Sequence, residues 1–134
     1  MEIDSGNTAW VMTSAALVLL MTPGLAFFYG GMTRAKSVLN MMMMSFVSMA
    51  VAGVLWALYA YSLAFSDGGA LNSVIGGLGD WGLVGLENTA TADDGSGIPT
   101  LAFVAFQATF AIITTALISG AIADRAKFGA WVVF

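Results

Sequence analysis

The sequence predicts an all-α protein, a polytopic membrane helix bundle with three transmembrane helices and the start of a fourth. Two observations favour this class. Hydrophobic residues make up 59% of the 134 residues and charged residues only 9%, whereas soluble domains carry about a quarter charged residues. The few charges also leave three long apolar runs without a single charged side chain, and about 20 such residues suffice for a helix to cross a bilayer.

The three apolar runs give the predicted helices and their connections. The helices are expected at about residues 7–31, 38–65 and 98–122. Residues 66–97 hold nine of the 16 glycines and five of the eight acidic residues, which predicts an exterior loop too broken by glycine to span. Residues 128–134 are apolar but too few to cross a bilayer. The chain therefore reads as if a fourth helix begins there.

Local signals mark the ends of the first helix. Asn7 or Thr8 is expected to cap its start, because a short polar side chain can accept from the first backbone donors. Pro23 predicts a kink in the second half of this helix, since it removes one donor and disfavours helical geometry at the preceding residue. Gly30 and Gly31 are expected to end the helix by adopting positive φ.

The distribution of charge predicts the orientation in the membrane. All four basic residues fall in the two loops on one face, and seven of the eight acidic residues fall on the other, with Asp124 as the exception. The basic residues are Arg34, Lys36, Arg125 and Lys127. Because basic loops stay in the cytoplasm, we expect the N-terminus, Asp93 and Asp94 to lie outside.

The composition also excludes several kinds of chemistry. The chain has no cysteine, so it offers no disulfide and no thiol nucleophile. It also has no histidine, which is the commonest metal ligand and general base. Its net charge of −4 shows no basic patch for nucleic acid. We therefore expect no enzymatic activity, no catalytic residue, no cofactor and no metal site.

One face of the third run could serve a small cation. Phe106, Phe110, Ile113 and Leu117 recur at intervals of four, three and four residues and share a helix face. Two aromatic rings one turn apart can attract a cation by about 2 kcal/mol or more where water is scarce. The aliphatic pair beyond them would oppose an ion but not a neutral molecule. The alternative is that the same stripe only packs against another helix.

Two further patterns point to packing. Ala116 and Gly120 form a pair of small residues one turn apart, which allows another helix to approach closely. The block Met41–Met44 could be read as an adaptable or soft-metal surface. We favour the simpler interpretation that these unbranched side chains fill space in a packed or lipid-facing helix.

Six sequence motifs together resemble the N-terminal part of the ammonium transporter (Amt/Rh) family. They read G-N-T-A-W-V, A-L-V-L-L-M-T-P-G-L-A-F-F-Y-G-G, K-S-V-L-N, Y-A-Y-S-L-A-F, A-F-Q-A-T-F-A-I-I-T and A-D-R-A-K-F. The resemblance implies an eleven-helix fold with the N-terminus outside, of which this chain is an N-terminal fragment. It also implies a multi-pass protein of the plasma (inner) membrane, a homotrimer with one pore per subunit, and a cytoplasmic nitrogen-regulatory signalling protein as a partner.

The resemblance also assigns roles to individual residues. Phe106 and Phe110 match the family's outer aromatic positions, which recruit and gate ammonium. Ile113, Leu117, Leu25 and Phe28 match apolar pore-lining positions. The twin pore histidines of the family belong to later helices, beyond Phe134.

The leading hypothesis is therefore ammonium transport, with ammonium recruited at an outer aromatic site and ammonia passing through an apolar pore. This fragment would be incomplete alone. An ammonium sensor or receptor of the same fold is one alternative, and a structural membrane helix-bundle protein is another.

Overall fold

The computed structural model of the chain describes residues 2–87 and 96–134. The α-helices of these residues are α1 (Ser5–Met32), α2 (Val38–Leu55), α3 (Tyr61–Phe65), α4 (Thr100–Ile118) and α5 (Phe128–Val133). Three segments are long and apolar enough to cross a membrane: Ser5–Met32, Val38–Phe65 and Thr100–Ile122. The prediction of an all-α membrane protein is confirmed. Asp93 and Asp94 lie outside the described residues.

The chain divides into two compact units. The first unit combines Met1–Ala15 with Val54–Ala108, and the second combines Ala16–Gly53 with Thr109–Phe134. Each unit is described by itself below.

In the first unit, α1 begins earlier than the sequence predicts. The carboxylate of Asp4 accepts a 2.8 Å hydrogen bond from the backbone N–H of Asn7, which is the arrangement of an N-cap. The side chain of Asn7 instead donates to the Ser96 carbonyl at 2.8 Å, and the Thr8 hydroxyl donates to the Asp4 carbonyl at 2.7 Å. The prediction that Asn7 or Thr8 caps the helix is therefore wrong, because both side chains bond elsewhere.

The same unit contains a π-helical turn in the second membrane-crossing segment. Residues Trp56–Ala60 form this turn between α2 and α3. The indole N–H of Trp56 donates to the Val104 carbonyl on α4 at 3.2 Å. The ring of Trp56 also meets the rings of Tyr61 and Phe65 edge-on, at centroid distances of 5.8 Å and 6.3 Å. The turn thus gathers aromatic side chains against the first half of α4.

The loop after α3 folds back onto the end of that helix. The hydroxyls of Ser62 and Ser66 each lie 2.8 Å from the Gly77 carbonyl oxygen, and the backbone N–H of Gly76 donates to the Leu63 carbonyl at 2.8 Å. The backbone of Asp80 donates to the Ser62 hydroxyl at 3.1 Å. The Gly76 bond satisfies a backbone carbonyl at the end of α3, where intrahelical donors are lacking. The other bonds tie the loop to the two serine hydroxyls.

In the second unit, α1 runs through its glycines. Gly30 and Gly31 are both helical, and neither is among the residues with positive φ. The prediction that they end the helix is wrong. A Cβ on Gly30 would come within 3.1 Å of Met42 Cγ. Close approach of α2, not chain reversal, therefore calls for a glycine at position 30.

The core of the second unit joins α2 to α5. Met41, Met44 and Trp131 form its buried cluster. The Trp131 indole donates to the Met44 carbonyl at 3.0 Å and lies 3.1 Å from the Ser48 hydroxyl. Two of the four consecutive methionines thus fill a helix interface, as the simpler interpretation of that block expects.

Candidate functional site

The predicted stripe on α4 differs in exposure from residue to residue. Phe110 and Leu117 are 41% and 50% exposed, whereas Ile113 is only 6% exposed and Phe106 is half-buried. Phe106 belongs to the first unit, and the other three residues belong to the second. Within the second unit, the two exposed apolar side chains are seven residues apart on α4 and therefore share a face.

The second half of α1 reaches the same part of α4 through Tyr29. Its hydroxyl donates to the Leu117 carbonyl at 3.0 Å, and its ring lies where a Cβ on Gly120 would be. Ala116, one turn before Gly120, is fully buried. The small pair on α4 therefore receives a neighbouring helix, as its spacing predicts.

The two pore-lining candidates on α1, Leu25 and Phe28, lie within one turn before Tyr29. Phe28 precedes Tyr29 and is 60% exposed, with its ring centroid 6.1 Å from that of Tyr29. Leu25 is half-buried. Phe28 and Leu117 are thus both exposed apolar side chains of the second unit, and Tyr29, the neighbour of Phe28, bonds the backbone of Leu117.

Phe103, at the start of α4, packs within the first unit. Its ring meets that of Phe65 edge-on at a centroid distance of 5.3 Å. At the 100° helical step Phe103 lies about 60° from Phe106 and about 20° from Phe110, so it shares their side of α4, nearer the start of the helix. Packing against α3 accounts for its aromatic side chain.

Two hydroxyl side chains of the third membrane-crossing segment bond the backbone of that segment. The Thr115 hydroxyl donates to the Ala111 carbonyl at 2.9 Å, and the Ser119 hydroxyl donates to the Ala116 carbonyl at 2.6 Å. Among residues 2–87 and 96–134, no three side chains of the metal-binding types come together. The side chains of α4 include no ionisable group, so this helix offers apolar, aromatic and neutral polar surface.

Two residues of this region have roles that the sequence alone did not reveal. Tyr29 and Trp56 both donate from an aromatic side chain to a backbone carbonyl of α4. The only sequence signal was the position of Tyr29 just before two glycines, and the position of Trp56 near the end of an apolar run. Neither signal identifies the carbonyl that accepts the bond.

Comparison with known proteins identifies the relatives of this chain. Residues 9–134 match the model of the Ammonium Transporter Family. This chain belongs to the ammonium transporter family. The prediction drawn from the six motifs is confirmed.

Individual relatives extend over nearly the whole chain. An ammonium transporter of Mycobacterium tuberculosis is 56% identical over 98% of this chain. One of Bacillus subtilis is 49% identical over 98% of it, and one of Aquifex aeolicus is 43% identical over 99% of it. These alignments cover 30%, 32% and 31% of the relatives. The chain thus spans about a third of the length of the ammonium transporters that it matches.

Proposed function

We propose that the protein transports ammonium across a membrane and that this chain supplies one wall of the pore. The observation that carries the proposal is the exposure of three large apolar side chains of the second unit: Phe28 of α1, and Phe110 and Leu117, which share one face of α4. Large apolar side chains exposed in one part of a membrane bundle face lipid, the rest of the bundle or a pore. Membership of the ammonium transporter family supports the pore as that function.

Recruitment of the cation is assigned to the aromatic end of the α4 face. Phe106 and Phe110 are four residues apart, so their rings follow one another along the helix. The negative face of such a ring attracts ammonium, and the attraction grows as water is removed. Aromatic carbon offers no base, so the proton must be accepted by groups outside these side chains.

Passage of neutral ammonia is assigned to four apolar side chains of α1 and α4. Leu117 and Phe28 are exposed, and Leu25 and Ile113 are their more buried neighbours. Apolar walls oppose a charged ion far more than neutral ammonia, because an ion loses its hydration there. We assign these four residues to the pore lining, and Ile113 contributes the smallest surface.

The cellular setting follows from the same family. We propose the plasma (inner) membrane, the N-terminus outside and a homotrimer, with a cytoplasmic nitrogen-regulatory protein as a partner. The four basic residues near the ends of the membrane-crossing segments support the orientation, because positive loops remain in the cytoplasm.

Substitution of Phe110 tests the recruitment step. In the full-length protein, Phe110→Ala should weaken the apparent affinity for ammonium roughly 5- to 30-fold, since a cation–π contact contributes about 1–2 kcal/mol. Phe110→Trp keeps a π-surface and should retain affinity within about threefold. The measurement is concentration-dependent uptake or current at matched surface expression.

Phe103→Leu is the matched control for this experiment. The change removes a ring from the same side of α4, but the Phe103 ring is engaged edge-on by Phe65 within the first unit. Its apparent affinity should stay within about twofold, as volume-tolerant apolar swaps usually allow. If Phe103→Leu weakened affinity as much as Phe110→Ala did, the loss could not be assigned to a cation–π contact at Phe110.

A further inference from the structure

Two fully buried hydroxyls of the second unit have no hydrogen-bond partner. Thr22 of α1 and Ser45 of α2 are both 0% exposed, and in the described part of the chain their oxygens are the buried side-chain atoms left unbonded. Neighbouring hydroxyls behave differently: those of Ser48 and Thr115 each donate to the carbonyl four residues earlier, at 2.7 Å and 2.9 Å. Because a buried hydroxyl without a partner is unfavourable, each of the two exceptions requires an explanation.

Thr22 lies beside a backbone carbonyl that a proline leaves without its usual donor. Pro23 is inside α1 and has no N–H, so the Leu19 carbonyl, four residues earlier, lacks its helical hydrogen bond. Thr22 follows Leu19 by three residues, a spacing at which a threonine hydroxyl can reach a carbonyl of its own helix. No direct bond joins them, since Thr22 Oγ1 is unbonded. One turn of α1 thus holds both a hydroxyl and a carbonyl acceptor that need a partner.

The packing around Thr22 restricts what that partner can be. The residues of this chain alone already cover Thr22 completely, and Ala26, one turn further on, is also 0% exposed. Gly30, two turns on, is packed against Met42 of α2. A side chain from the rest of the full-length protein would have to displace this packing to reach the hydroxyl. The partner must therefore be small, and it must donate to the carbonyl while bonding the hydroxyl.

We propose that one buried water molecule is bound in this turn of α1, where it donates to the Leu19 carbonyl and bonds the Thr22 hydroxyl. Ordered water is one of the groups that satisfy the carbonyls freed by proline in membrane helices, and two polar partners suffice to hold a buried water. Ser45 lies on a helix without proline, so we assign the water to Thr22 alone. The proposal rests on the burial of α1 in a membrane bundle and does not depend on transport of ammonium.

A double-mutant cycle in the purified full-length protein tests the proposal. Thr22→Val removes the hydroxyl with little change of shape, and equilibrium unfolding in detergent measures the effect. We expect the unfolding constant to rise at least about fivefold, because the Leu19 carbonyl loses its bridged partner. Pro23→Ala restores an N–H donor to that carbonyl. In the Pro23→Ala background, Thr22→Val should therefore change the unfolding constant by less than about twofold.

Ser45→Ala is the matched control, because it removes an equally buried and unbonded hydroxyl that has no proline beside it. Its unfolding constant should stay within about twofold of that of the unchanged protein, or fall, since no hydrogen bond is lost. A high-resolution structure of the full-length protein provides a direct measurement that does not depend on any variant. It should show a water oxygen about 2.5–3.0 Å from both Thr22 Oγ1 and the Leu19 carbonyl oxygen.

Three results would overturn the proposal. An unfolding constant that is unchanged or lower in Thr22→Val would show that the hydroxyl makes no bond. Equal effects of Thr22→Val with and without Pro23 would show that the Leu19 carbonyl plays no part. A high-resolution map in which Thr22 Oγ1 bonds a carbonyl of α1 directly, with no water between them, would replace the bridge with an ordinary intrahelical bond.

Discussion

At the scale of single residues, the contact between Tyr29 and Gly120 joins two of the membrane-crossing helices. The Tyr29 hydroxyl donates a hydrogen bond to the Leu117 carbonyl, and the Tyr29 ring occupies the space that a side chain at position 120 would need. A backbone carbonyl near a helix end has no partner within its own helix, so an aromatic hydroxyl can bond it without disrupting the ladder. The pair therefore fixes how α1 packs on α4 within the second unit.

Substitution of Gly120 should be costly for this reason. A Cβ there would lie 2.6 Å from the Tyr29 hydroxyl oxygen and 2.7 Å from the ring carbon that carries it. The ring would have to move and give up its hydrogen bond, so Gly120→Ala should destabilise the protein by about 1–3 kcal/mol. The measurement is thermal unfolding of the purified protein in detergent.

Gly31→Ala is the matched control for this substitution. Gly31 is helical, and a Cβ there meets nothing within 4 Å. Alanine should be neutral or stabilising by up to about 1 kcal/mol, because it restricts the unfolded chain and suits a helix better than glycine. Equal destabilisation by the two variants would contradict the role of the Tyr29 contact.

At the scale of elements, the sequence predicted the existence of each long helix better than its ends. Uncharged runs determine which segments can cross a bilayer, and that property is local. The cap at Asp4 was missed because it depends on the chain at residues 96–97: the Asp4 backbone N–H donates to the Gly97 carbonyl at 3.0 Å. The π-helical turn at Trp56–Ala60 likewise accompanies a tertiary contact, the hydrogen bond from the Trp56 indole to the Val104 carbonyl on α4, which no spacing in the sequence predicts.

The loop after α3 provides a prediction at this scale. A Cβ on Gly76 would overlap the Ser66 carbonyl oxygen and lie 2.6 Å from the Leu63 carbonyl oxygen. Backbone cannot move aside as a side chain can, so Gly76→Ala should detach the loop from the end of the helix. We expect proteolytic cleavage between residues 66 and 87 to accelerate by about tenfold or more, in line with a loss of at least about 1.4 kcal/mol of local stability.

Gly79→Ala is the control for the loop. The nearest atom to its added Cβ would be Ser66 Cβ at 3.9 Å, an ordinary contact. Cleavage of this variant should match that of the unchanged protein. Rapid cleavage of both variants, or of neither, would argue against the anchoring role of residues 76–77.

At the scale of the whole molecule, the sequence predicted what composition determines and left open what packing determines. Three uncharged runs sufficed for the class of fold, and six motifs sufficed for the family. The candidate site was predicted only in part. The interval between Phe110 and Leu117 predicts one shared face, but the same periodicity could not show that Ile113 is buried while Phe110 and Leu117 are exposed. Burial depends on which helix packs alongside, and a single helix does not encode its neighbour.

Orientation in the membrane is the remaining prediction at this scale. Lys36 lies in the turn between α1 and α2, and Asp67 lies in the loop that follows α3. Both side chains are exposed, and the second membrane-crossing segment, Val38–Phe65, separates them. The two positions must therefore face opposite sides of the bilayer, and the positive-inside rule assigns Lys36 to the cytoplasm.

Residues 1–134 contain no cysteine, so Lys36→Cys and Asp67→Cys each introduce one thiol into this part of the protein. In intact cells, an impermeant maleimide should label position 67 and leave position 36 unlabelled until the membrane is opened. The reverse pattern would invert the topology, and labelling of both positions in intact cells would show that Val38–Phe65 does not cross the membrane.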